Sequence, residues 1–156
     1  MNGTIESDSG SITLDGFKGQ TLSLKADSGS IKLDGFEGNT VSFKSDSGSI
    51  SAGNVHAAVT ASSDSGSITL DHLNGAADVK SDSGSIRMVK DDGAGANVRS
   101  DSGSVKIELP ASYGGTYDLK SDSGSIHNPE PVGTSGEVVK VRTDSGSIRI
   151  ELSSSN

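Results

Sequence analysis

Apolar residues recur two positions apart along nearly the whole chain, in short runs separated by glycine, serine and aspartate. Around each Asp-Ser-Gly-Ser segment they fall into four registers. Three residues before the Asp stand Ile5, Leu24, Phe43, Ala61, Val79, Val98, Leu119 and Val141. Five before it, from the second copy on, stand Leu22, Val41, Val59, Ala77, Ala96, Tyr117 and Val139. Four after it stand Ile12, Ile31, Ile50, Ile68, Ile86, Val105, Ile126 and Ile148, and six after it Leu14, Leu33, Ala52, Leu70, Met88, Ile107, Asn128 and Ile150. Apolar positions two apart with polar residues between are the signature of a strand with one buried face. Each repeat therefore predicts two short strands, for example Thr21–Lys25 and Ser30–Leu33.

The repeats begin at Asp8, Asp27, Asp46, Asp64, Asp82, Asp101, Asp122 and Asp144, spaced by 19, 19, 18, 18, 19, 21 and 22 residues. Two turns join the strands of a repeat. In the Asp-Ser-Gly turn, glycine is expected to supply a positive φ and aspartate to bond its own backbone. The other turn is looser, as in Asp15-Gly16-Phe17-Lys18-Gly19, Asp34-Gly35-Phe36-Glu37-Gly38 and His72-Leu73-Asn74-Gly75. Its apolar residue (Phe17, Phe36, Val55 or Leu73) is expected to tuck under the end of the coil.

One two-strand coil cannot bury its apolar face alone. Stacking coils at about 4.8 Å pairs each strand with its copy in the next coil and makes a continuous core. The predicted fold is an all-β, single-domain β-solenoid of about eight coils of 18 to 22 residues, stacked in parallel. An antiparallel meander is the rival, but it gives no reason for identical residues at every second turn. Residues 1–108 hold the regular repeats, and 109–156 hold irregular coils and a cap. Leu109–Thr116 and His127–Glu137 lengthen the last turns, either as a cap over an unpaired edge or as binding loops. Ser153–Asn156 is read as a frayed tail. Ends left uncapped would allow end-to-end self-association.

Composition narrows the function classes. Leu, Ile, Val and Phe number 33 of 156 residues, close to the level at which charged chains stay disordered, so their placement must make the core. A net charge of −8 argues against nucleic acid, whose phosphates need a basic surface. Without cysteine there are no disulfides or thiolate metal sites. No apolar run is long enough to span a membrane. The chain opens midway through a repeat, which leads us to expect a leader or anchor upstream.

Three sets of residues are candidate sites. The column Asp8, Asp27, Asp46, Asp64, Asp82, Asp101, Asp122 and Asp144 could recruit calcium, as acidic repeats do in another solenoid class. Against this, the basic residues Lys25, Lys44, Lys80, Arg99, Lys120 and Arg142 stand two before an Asp and supply counter-ions. The serine columns suggest ice-binding ladders, yet short hydroxyls at a tight corner explain them as well. His56, His72 and His127 form no triad or metal spacing, and Gly93–Gly95 is a turn with no helix after it. No catalytic residue and no cofactor is expected.

With the repeat in hand, the chain resembles the bacterial Toastrack domain, a repeat family labelled as adhesin-like or of unknown function. The likeness is carried by the serial Ser-Gly-Ser-Ile units, by Leu119–Ile126, by Glu108–Tyr117 and by the closing Val139–Glu151. It implies an extracytoplasmic, membrane-tethered domain of envelope-stress systems, with a protein or cell-envelope component as partner and no catalytic residues to carry over. The reading is thus a non-catalytic scaffold or binding domain, with a calcium-stabilised adhesin as the alternative.

Overall fold

The computed structural model describes residues 2–90, 95–109, 116–128 and 138–152. The strands are β1 (Asn2–Ser7), β2 (Ile12–Lys18), β3 (Thr21–Ala26), β4 (Ile31–Ser45), β5 (Ile50–Ser63), β6 (Ile68–Asn74) and β7 (Ala77–Ser81). They continue as β8 (Ile86–Lys90), β9 (Ala96–Ser100), β10 (Val105–Leu109), β11 (Thr116–Ser121), β12 (Ile126–His127), β13 (Val138–Thr143) and β14 (Ile148–Leu152). All belong to one sheet, and every described pairing is parallel. The chain is a parallel β-solenoid, as the two-residue period predicts.

The apolar registers become columns. Ile12, Ile31, Ile50, Ile68, Ile86, Val105 and Ile148 stack in register and are buried. The facing wall is built from Leu24, Phe43, Ala61, Val79, Val98 and Val141, also buried. Phe36, Val55 and Leu73 are buried at the looser corner, and Phe17 stacks on Phe36 with ring centroids 5.8 Å apart.

The looser corner is more regular than its sequence suggests. In β4 and β5 it is absorbed into the sheet, giving continuous strands of 15 and 14 residues in place of two short ones. The chain bends there through Gly16, Gly35, Asn54 and His72, stacked residues that all have positive φ. Asparagine tolerates that conformation better than most side chains, and glycine adopts it freely.

The last two coils do not stack in sequence order. β9 and β10 pair with β13 and β14, and these pair in turn with β11 and β12. The coil turning at Asp144 is inserted between those turning at Asp101 and Asp122. Core quality explains the exchange. The inserted coil supplies Val139, Val141, Ile148 and Ile150, all at most 2% exposed. The displaced one supplies Tyr117 and Leu119, both only partly buried, and Ile126, which is 40% exposed. The fully aliphatic coil takes the site covered on both sides, and the weaker one takes the end. The long spacings of 21 and 22 residues provide the chain needed to pass over one level and return. The predicted cap or binding loops at 110–115 and 129–137, most of Gly93–Gly95 and the tail at 153–156 lie outside the described residues.

Candidate binding surface

The corner motif is built around the residue before the Asp. Ser63 Oγ accepts a hydrogen bond from the Gly66 N–H at 3.0 Å and donates to the Gly66 carbonyl at 3.2 Å. Ser7, Ser45, Ser81 and Ser100 clamp their own glycines in the same way. Thr143 Oγ1 donates to the Gly146 carbonyl at 2.8 Å. The sequence carried this signal, because seven of the eight positions hold a hydroxyl and only Ala26 does not. Ser81→Ala should therefore cost about 1–3 kcal/mol, since it leaves a buried N–H without its acceptor. Ala26→Ser should instead stabilise by about 1 kcal/mol, a gain read from urea midpoints.

Backbone bonds carry the ladder around the corner. Ser83 N–H donates to Asp64 O at 3.0 Å, and Ile86 N–H donates to Ser104 O in the coil on the other side at 2.8 Å. The hydroxyl of Ser83 also reaches Asp64 O, at 3.3 Å. The serine columns thus hold neighbouring corners together.

Two expectations for this corner are corrected. Its glycines do not have positive φ, which among the described glycines is confined to Gly16, Gly35 and Gly75. Glycine is required instead because the coils touch there: a Cβ on Gly84 would run into the Gly66 carbonyl, and one on Gly103 into that of Gly84. The Asp side chains do not close the turn either. Among the described residues the eight carboxylates make no hydrogen bond and no ion pair within 4.0 Å. The strand ends at the residue before the Asp, so the carboxylate stands at the corner, just beyond the strand that carries the basic side chain.

The basic residues form their own column. Lys80, Arg99, Arg142 and Lys120 are exposed and stand side by side on β7, β9, β13 and β11. A groove of about 220 Å³ lies between this column and the corners, lined by Arg99, Arg142 and Lys120 on one side and Asp101, Asp144 and Asp122 on the other. Ser100 and Thr143 also line it. Lys25 and Lys44 sit at the other end of the same face, cut off by Ser62.

The structure does not gather the histidines. His56 is on β5, His72 at the looser corner, and His127 beside Arg149 on β12. Among the described residues no group of three or more His, Asp or Glu side chains is arranged to hold a metal ion. Sequence reasoning missed Lys90. It is buried next to Leu73 in the looser-corner column, and its ammonium donates to the Gly75 carbonyl. Among the described residues no helix is long and apolar enough to cross a membrane.

No curated protein and no solved structure matches the chain. Residues 3–156 match the family described as Toastrack DUF4097. The chain belongs to the Toastrack family, a domain family of unknown function.

Proposed function

We propose that this Toastrack domain is a non-catalytic binding scaffold held outside the cytoplasm, presenting its repeated outer face to a cell-envelope component or a protein partner. One observation carries the reading. Outward side chains stand in straight columns, one strand spacing apart, on a sheet whose every described pairing is parallel. Such a surface suits an extended or repetitive ligand, because each level can make the same contact and weak contacts add along the stack. The test is co-sedimentation of the purified chain with bacterial envelope fragments, against the same mass of cytosolic extract. Enrichment with the envelope is expected. Equal recovery from both would end the reading.

A calcium-stabilised adhesin is the second reading, favoured by corner carboxylates that the turns do not use. Calcium at about a hundred times its dissociation constant would add roughly 2.7 kcal/mol, or about 5 °C or more in melting temperature. Melts in calcium and in chelator should coincide if the domain is a metal-free scaffold. A shift of that size would put the adhesin first.

A further inference from the structure

We propose that the column Lys80, Arg99, Arg142 and Lys120, together with the corner carboxylates beside it, binds a linear acidic polysaccharide carrying one carboxylate per sugar unit. This deepens the scaffold reading and rests on it. The charge is distributed unevenly. Positions 1–76 hold four of the thirteen basic and nine of the twenty-one acidic side chains, whereas positions 77–156 hold nine and twelve. Four of those nine cations share one column on adjacent strands, and none of the four makes an ion pair within 4.0 Å among the described residues. Like charges on neighbouring strands repel, so an anion laid along the column relieves a cost that folding leaves in place.

The acidic rim tells which anion. Asp101, Asp144 and Asp122 line the same groove, so each of these three levels offers one cation and one carboxylate acceptor. A sheet of lipid phosphates or a phosphate polymer meets that second row as repulsion. A sugar acid uses both rows, its carboxylate on the arginines and lysines and its hydroxyls donating to the aspartates. Strands lie about 4.8 Å apart, so the paired cation and carboxylate repeat closely enough for one polymer chain to contact several levels at once. Each exposed contact is weak, and binding accumulates only along a polymer.

The test uses the full chain in chelator, with fluorescently labelled polygalacturonate as the probe. Arg99→Gln with Arg142→Gln should weaken binding about tenfold, equivalent to roughly 1.4 kcal/mol, while Lys25→Gln with Lys44→Gln, the same change in charge, should leave it within about twofold. Melting curves establish that both variants fold. Asp101→Asn with Asp144→Asn separates the roles of the rim: binding weakens if the carboxylates accept sugar hydroxyls and strengthens if they only repel. Weakening in both groove variants supports the proposal. Equal binding by the two basic variants, strengthening in the aspartate variant, or preference for phosphatidylglycerol vesicles over polygalacturonate overturns it. Failure with polygalacturonate alongside retained envelope binding overturns this inference and leaves the scaffold reading in place. Loss of both removes both.

Discussion

Gly84→Val should unfold the protein or reduce it to a loosened remnant, and Gly84→Ala alone should cost upward of about 3 kcal/mol, the upper range for overpacking. The obstacle is a backbone carbonyl. A Cβ at Gly84 meets Gly66 O, and Gly103 stands over Gly84 in the same way, so relief at one corner requires moving the coils apart. Separation would stretch the Ser83-to-Asp64 bond and its equivalents, which hold the corners in the ladder. Gly10 provides the control, since a Cβ there meets only Ser7 Oγ, at 3.1 Å. Gly10→Ala should cost less than about 1 kcal/mol. Urea denaturation of the two alanine variants separates a requirement for close approach from a general dislike of alanine at this corner. Similar midpoints for both would remove the stacking explanation.

The second large effect is expected from Val141→Asp. Val141 is fully buried between Val98 and Leu119. An unpaired carboxylate in that position is strongly disfavoured, and the coil that carries it should leave the stack. In a solenoid each coil is held by its neighbours, so damage spreads to whatever depends on that coil. Here the dependent coil is the earlier one in sequence, because among the described strands β11 pairs with β13 alone. Amide exchange should show β11 and β13 losing protection together while β3 to β5 keep theirs. Protection retained in β11 would mean that it pairs with β9 directly.

Much of the fold is legible from a two-residue period. The aliphatic columns need only local information, so the sequence alone places Ile12 to Ile148 and Leu24 to Val141. The apolar residue of the looser turn is equally readable, since Phe36, Val55 and Leu73 have nowhere else to go. The order of the last two coils is not. Every coil carries the same corner, so any order satisfies the ladder, and the only traces are the lengthened spacings and the polar Asn128 where other coils hold an aliphatic side chain. The corner chemistry is ambiguous for a different reason. Glycine suits both positive φ and close backbone approach, and only the stacking distance tells them apart. Aspartate and the serine before it can both cap a turn, and the serine does so because it is the one buried beside the glycine N–H. The basic side chains read as counter-ions to the corners in the sequence, while the strand face that holds them makes them a column of their own.

Engineered disulfides test the stacking order most directly, and the absence of native cysteine makes the readout clean. Asn97 and Lys140 are register partners on adjacent strands, and Lys140 is likewise the partner of Asp118. Asn97 and Asp118 are therefore two strands apart, roughly 9–10 Å, beyond the reach of a disulfide, whereas adjacent partners lie within it. With Asn97→Cys and Lys140→Cys in one chain, mild oxidation should close a bond without loss of the fold. With Asn97→Cys and Asp118→Cys, the thiols should stay free under the same conditions. The reverse pattern, with residues 97 and 118 linked and residues 97 and 140 open, would contradict the inserted coil and restore stacking in sequence order.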